Sequence, residues 1–99
     1  MRIIAHKTLK EAWTKHRDAE QPLRAWEKET KLARWTEPEM IRAHYPTASI
    51  VGDGRVVFNI KGNTYRLVVA INYPAEIVFI KFFGTHAEYD KIDVTKVQP

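Results

Sequence analysis

Cysteine is absent from the 99 residues. Without thiols the chain holds no disulfide framework, no thiolate zinc site and no cysteine nucleophile, and the cytoplasm is the expected compartment. Serine occurs once, at Ser49, and outside any Gly-x-Ser-x-Gly setting, so the usual hydroxyl nucleophile is missing too. Long apolar runs are also lacking. Stretches such as Leu67–Ile71 and Ile77–Ile80 fall far short of the roughly 20 residues that a membrane span requires. His6 and Lys7 follow Met1–Ala5 too early for a secretory apolar segment, so no leader is expected. Glycine is scarce, with four residues that all lie beyond Val51, so helices before that point must end by proline and charge. No Gly-rich phosphate loop, zinc-finger spacing, RNP pattern or helix-turn-helix is present.

What remains is an ordinary composition for one domain spanning residues 1–99: 44% hydrophobic and 28% charged. Sixteen Lys and Arg stand against twelve Asp and Glu, for a formal charge of +4. That balance favours encounter with phosphate polymers. The charges form no block or tail, so any basic patch must be assembled by folding.

Composition changes near Pro46, from helix formers to Val, Ile, Phe, Tyr and Thr. Arg2–Ala5 fits a first strand. Leu9, Ala12, Trp13 and His16 share one face of a helix over Thr8–His16. Pro22 suits a helix start, and Leu23, Trp26, Thr30 and Ala33 repeat the same spacing. The three tryptophans, Trp13, Trp26 and Trp35, are therefore assigned to core packing before base stacking. Thr36-Glu37-Pro38-Glu39 has the form of a capping box ahead of a short turn with Met40, Ile41 and Ala43, which Tyr45-Pro46 ends. Beyond it, Ser49–Val51 meets Arg55–Ile60 across Gly52-Asp53-Gly54. Lys61-Gly62-Asn63 leads into Thr64–Ile71, and Asn72–Ala75 leads into Glu76–Phe83. After Gly84, Thr85-His86-Ala87-Glu88 can cap a last helical turn running to Ile92. The expected fold is α+β: an N-terminal helical hairpin packed on one face of a small antiparallel sheet, the other face partly open, and a short C-terminal helix.

In the strand after Asn63, Tyr65, Leu67 and Val69 share one face, and Arg66, Val68 and Ala70 the other. Arg66 is then a lone cation in an apolar strand, which must snorkel, pair with a carboxylate or meet an anionic ligand. The four histidines, His6, His16, His44 and His86, show no spacing of metal ligands, so neither a metal nor a cofactor is expected. His86 stands out because it follows a strand end, where a side chain reaches a cleft. Tyr89, three residues on, lies on the same side of a helical turn. Cleavage of RNA by its own 2′-hydroxyl needs a base, cations around the phosphorane and an acid for the leaving oxygen. Arg66, His86, Lys81 and Tyr89 together supply such functions without metal. Taken singly, each has an ordinary structural role; their convergence is what points to chemistry.

The stretches Phe58-Asn59-Ile60-Lys61-Gly62-Asn63-Thr64-Tyr65-Arg66-Leu67 and Ile80-Lys81-Phe82-Phe83-Gly84-Thr85-His86-Ala87-Glu88-Tyr89-Asp90-Lys91 resemble the HigB-type toxins of the RelE/ParE superfamily. The resemblance implies a RelE-like fold and a ribosome-dependent mRNA interferase, a toxin that cuts mRNA in the decoding site. It also implies a HigA-type antitoxin with a DNA-binding helix-turn-helix, forming a hetero-oligomer with the toxin. By position, Arg66 matches the strand arginine that stabilises the transition state. His86 and Tyr89 match the segment supplying acid–base groups and contacts to mRNA bases. Lys61, Asn63 and Lys81 are supporting substrate contacts. RelE itself carries an arginine in its C-terminal catalytic segment; here no arginine follows Arg66, and His86 or Lys81 takes that work. Two alternatives stand beside this reading: a ParE-like toxin that poisons DNA gyrase, and a catalytically silent RNA- or protein-binding module.

Overall fold

The computed structural model describes residues 1–99. Strand β1 (Arg2–Ile4) leads into helix α1 (His6–Lys15). A 3₁₀ turn, Arg17–Ala19, then feeds α2 (Glu20–Leu32), and α3 (Pro38–His44) follows. Strands β2 (Ser49–Val51), β3 (Arg55–Ile60), β4 (Tyr65–Asn72) and β5 (Ile77–Thr85) complete one sheet, and α4 (His86–Tyr89) follows β5 directly. No helix is long and apolar enough to cross a membrane.

The sheet order is β1-β5-β4-β3-β2. It is mixed rather than wholly antiparallel: β1 lies parallel to β5, with Ile3 opposite Val78. The helices and strands β2–β4 all lie between them in the chain, a connection long enough for a parallel pair, and β1 satisfies the free edge of β5.

On one face the apolar stripes of the helices meet the sheet. Leu9 and Trp13 from α1, Leu23 and Trp26 from α2, and Ile41 from α3 are buried with Val56, Phe58, Ile60, Tyr65, Leu67, Val69, Val78 and Ile80. Phe58 sits at the centre of an aromatic group, its ring centroid 5.4 Å from Trp26, 6.2 Å from Trp35 and 5.2 Å from Tyr45. The tryptophans are core residues, as their helical spacing predicts.

Several local expectations are corrected. The capping box at Thr36 does not form: Pro38 takes the first helical position, which makes Glu37 the N-cap and shifts the frame by one residue. The Thr36 hydroxyl instead donates to the Met40 sulfur at 3.2 Å. Helix α2 starts two residues before Pro22, which therefore stands in the first turn, where its missing N–H costs nothing. Strand β5 begins at Ile77, because Glu76 has a φ of 57° and cannot continue a strand. It runs to Thr85, past the expected end at Phe83, and α4 stops at Tyr89 rather than Ile92.

The second face of the sheet is less open than its sequence implies. Val57 and Val68, which point away from the helical core, are 3% and 0% exposed. Helix α4 lies against β4 and β5, and the residues after it turn back over the strands.

Candidate active site

Arg66 lies on that second face, opposite Asn59 of β3 and Gly84 of β5. It is 9% exposed, yet no carboxylate lies within 4.0 Å of it. Its partners are neutral oxygens. Nη2 donates to Asn63 Oδ1 at 2.6 Å, and Nη1 donates to the carbonyls of Asn63 and Tyr65, both at 3.2 Å. A guanidinium has five N–H donors, so part of the fork has no acceptor within the protein. The Tyr89 ring stands over it, 6.0 Å from the guanidinium carbon to the centroid. A buried cation held this way is under-compensated, since desolvating a charge costs several kcal/mol that neutral dipoles only partly return.

Helix α4 carries His86 and Tyr89 to this end of the sheet. It is one turn long, and its start is fixed from both sides. The Thr85 hydroxyl accepts from the Glu88 N–H at 3.1 Å, while Glu88 Oε1 accepts from the Thr85 N–H at 2.8 Å, the capping box that the sequence predicts. These bonds hold the Glu88 carboxyl below its ordinary value. The His86 N–H donates to the Thr64 carbonyl at 3.1 Å, tying the helix to the β3–β4 turn. The His86 side chain is about half exposed, with Nδ1 3.6 Å from Asp90 Oδ2. Gly84 makes the junction possible. A β-carbon there would lie 2.7 Å from the Phe82 ring and 3.0 Å from Glu88 Oε1.

The remaining candidates divide. Asn63 stands with Arg66 as its main hydrogen-bond partner. Lys61, at the turn with a φ of 54°, is paired with Asp18 at 2.8 Å, on the helical side. Asp18 also accepts from the Tyr65 hydroxyl at 2.5 Å, and these two donors lower its pKa. The triad pins the β3–β4 turn to the 3₁₀ segment. Lys81 occupies a β-bulge opposite Val68 and Val69, with Nζ donating to Gln98 Oε1 at 3.0 Å. His16 packs its ring 5.0 Å from Tyr65 and 5.8 Å from Phe83, at the edge of the core. Asn63 and Tyr89 thus meet Arg66, His86 opens the same helical turn with its backbone tied to Thr64, and Lys61 and Lys81 lie to either side.

A family model for HigB toxins, the RelE-like toxic component of a toxin–antitoxin system, matches residues 19–92. The chain belongs to the HigB toxin family. Among its relatives are the mRNA interferase toxin HigB of Escherichia coli K12 and the mRNA interferase HigB of Shigella flexneri. Each is 29% identical over 92 residues, covering 91% of this chain and 88% of the relative. The span shared with the HigB family includes every residue gathered at Arg66 and stops before the segment that folds back over β3.

Two features of this sheet face are not evident from local sequence pattern. One is the contact role of Gly84, which a glycine beside a strand end hints at but cannot specify. The other is Arg55, 6% exposed and also without a carboxylate partner. Its local trace is a cation opening an apolar run, Arg55-Val56-Val57-Phe58, in the same alternation that singled out Arg66.

Proposed function

We propose that this chain is an mRNA endoribonuclease toxin of a type II toxin–antitoxin module, one domain spanning residues 1–99, that cuts message in the ribosomal A site. The observation that carries the reading is Arg66, a buried guanidinium with spare donors, no carboxylate and an aromatic roof. A phosphate meets that demand better than any neutral group, because it accepts two parallel charge-assisted hydrogen bonds.

The reaction follows from the polymer. The 2′-oxygen of the substrate attacks the adjacent phosphorus and gives up its proton to a base. The bond to the 5′-oxygen breaks, and that oxygen takes a proton from an acid, leaving a 2′,3′-cyclic phosphate. Charge builds on the non-bridging oxygens at the transition state, where Arg66 stabilises it. His86 is the proton-transfer group, imidazole being the side chain suited to exchange near neutral pH, with Asp90 beside it to orient the ring. Tyr89 stacks on or orients a base, and Asn63 and Lys81 contact the strand, with Lys61 on the adjoining turn. No metal or cofactor enters these steps.

Arg66 is buried beneath the Tyr89 ring, the His86 side chain is half exposed, and no hollow of the surface is lined by them. A site with one imidazole and no cleft of its own favours a toxin whose substrate is aligned by the ribosome, since alignment itself removes much of the barrier. The same reading implies a HigA-type helix-turn-helix antitoxin, a hetero-oligomeric complex and a cytoplasmic site of action. Primer extension on an mRNA incubated with the protein, naked and on programmed ribosomes, tests it. Cuts confined to the ribosome-bound message are expected. Cuts on naked RNA point to a self-sufficient nuclease, and no cuts in either sample refute the reading.

A further inference from the structure

Arg55 and Arg66 share one sheet face. Arg55 is opposite Ala70, which is opposite Phe79; Arg66 is opposite Asn59, four residues along β3 from Arg55. At about 3.3 Å per residue the two positions are about 13 Å apart along the strand direction. Lys81 belongs to the same region, its Nζ 5.6 Å from the Phe79 ring centroid. Three cations on one face, two of them buried, have no carboxylate within 4.0 Å, although the protein forms ion pairs elsewhere on its surface.

What holds Arg55 and Lys81 is the C-terminal segment. Asp93 closes a turn, its carbonyl accepting from the N–H groups of Lys96 and Val97, both at 3.0 Å. Its side chain accepts from the Thr95 N–H at 3.0 Å and hydroxyl at 2.6 Å. The turn presents the carbonyls of Val94 and Val97 to Arg55 Nη1 at 3.1 and 2.7 Å, and Gln98 Oε1 to Lys81. Both oxygens take their hydrogen bonds from the one nitrogen Nη1, so the edge formed by Nε and Nη2, which can grip a phosphate with two parallel bonds, stays without a protein acceptor.

We propose that Arg55 and Lys81 form a second phosphate-binding site for the backbone of single-stranded RNA, continuous with Arg66, and that residues Asp93–Gln98 cover it until RNA displaces them. The inference rests on reading this face as RNA-cleaving, and adds where the strand runs. About 13 Å is the reach of about four nucleotides at the duplex-like rise of 3.4 Å, and fewer when the strand is stretched. The cover is weak by construction: it is a short turn held by a few hydrogen bonds, each worth a net factor of about two to ten in an equilibrium. A phosphate offers Arg55 the charge that the carbonyls lack.

The test is binding of a short 2′-O-methyl RNA, which cannot be cleaved, measured by fluorescence anisotropy over a series of salt concentrations. The double variant D93A/Q98A, which removes the side-chain ties of the cover together with the Asp93 carboxylate whose field reaches Arg55, is expected to bind about two- to tenfold tighter than the natural chain, and to exceed D93N/Q98A, which loses the same charge but keeps an acceptor for Thr95. Adding Arg55→Gln should cancel that gain and lower the salt slope by about 0.7, one phosphate contact on a single strand. Lys81→Gln, at a more accessible position, should do the same if Arg55→Gln fails to fold. In the natural chain, RNA should speed hydrogen exchange at the Lys96 and Val97 amides. An unchanged slope in both variants, slower exchange at those amides, or equal binding of poly-glutamate would overturn the site. Cleavage of ribosome-bound mRNA, assayed on the same samples, separates the failures: cleavage with an unmoved slope sinks only the second site, whereas neither cleavage nor RNA binding sinks the functional reading with it.

Discussion

The two faces of one sheet are built by opposite rules. Against the helices, Phe58, Leu67, Val69, Val78 and Ile80 pack with three tryptophans, and the charged groups are kept at the rim. Across the same strands, one residue out of phase, Arg55 and Arg66 are buried among neutral oxygens beneath one turn of helix and a folded-back tail. The first face lowers the free energy of the fold through apolar burial. The second retains buried guanidinium groups with no carboxylate within 4.0 Å, an arrangement that costs stability. The two faces are separated by a single step of β alternation.

That contrast can be broken first at Phe58. Phe58→Ala removes the ring shared by Trp26, Trp35 and Tyr45 and should cost about 3–5 kcal/mol. For a chain of this size the melting temperature should fall by more than 10 °C, at roughly 4–8 °C per kcal/mol, as calorimetry will show. On the other face the effects should invert. Arg66→Ala should lower cleavage of ribosome-bound mRNA by about 10²–10³ while the melting temperature holds or rises, because a desolvated, unpaired charge is removed. His86→Ala should likewise abolish toxicity in cells lacking antitoxin and leave the melt in place, since the side chain is half exposed. A destabilisation by either variant as large as that of Phe58→Ala would erase the distinction between the faces.

Gly84→Ala probes the junction between them. Its β-carbon meets the Phe82 ring and Glu88, so a loss of about 1–3 kcal/mol is expected, with α4 displaced and cleavage lost disproportionately. Thr85→Ala removes the cap of α4 and should cost about 1 kcal/mol, detectable as a lower denaturant midpoint at constant slope.

The smallest effects are those of pH. Asp18, Glu88 and Asp93 all have carboxyls held below their ordinary values, by Lys61, Thr85 and Thr95 respectively in first place. A depressed folded-state pKa contributes stability above the ordinary carboxylate range that is lost as acid protonates the group. Stability should therefore sag modestly below about pH 4, as these exposed groups are screened by solvent. At the other end, burial raises Tyr45 and Tyr73, and the bond to Asp18 raises Tyr65. A raised phenol is stable below its ordinary value of 10.0 and loses that contribution on ionising, so an ultraviolet titration should show these rings ionising late and with unfolding.

Much of this was legible in the chain. Helical spacing located Leu9, Trp13, Leu23 and Trp26 on the core side, and strand alternation separated Arg66 from Tyr65 and Leu67. The capping box at Thr85 was readable because its partner is three residues away, whereas Thr36 misled because a proline inside the motif claims the first helical position for itself. Lys61 illustrates the limit of proximity in sequence: it lies near Asn63, but the turn sends it to Asp18 on the other side of the sheet.

By itself, then, the sequence determined the elements, the faces of each strand and the family, because periodicity, turn chemistry and short motifs are local properties. Only the tertiary structure decided that β1 joins β5 in parallel, that Tyr89 stands over Arg66, and that Val94, Val97 and Gln98 close over Arg55 and Lys81. Those contacts join residues up to 75 positions apart, as β1 and β5 do at Arg2 and Ile77. Their partners are chosen by which unpaired strand edge or unsatisfied donor is left when the core has packed, a choice that no local pattern encodes.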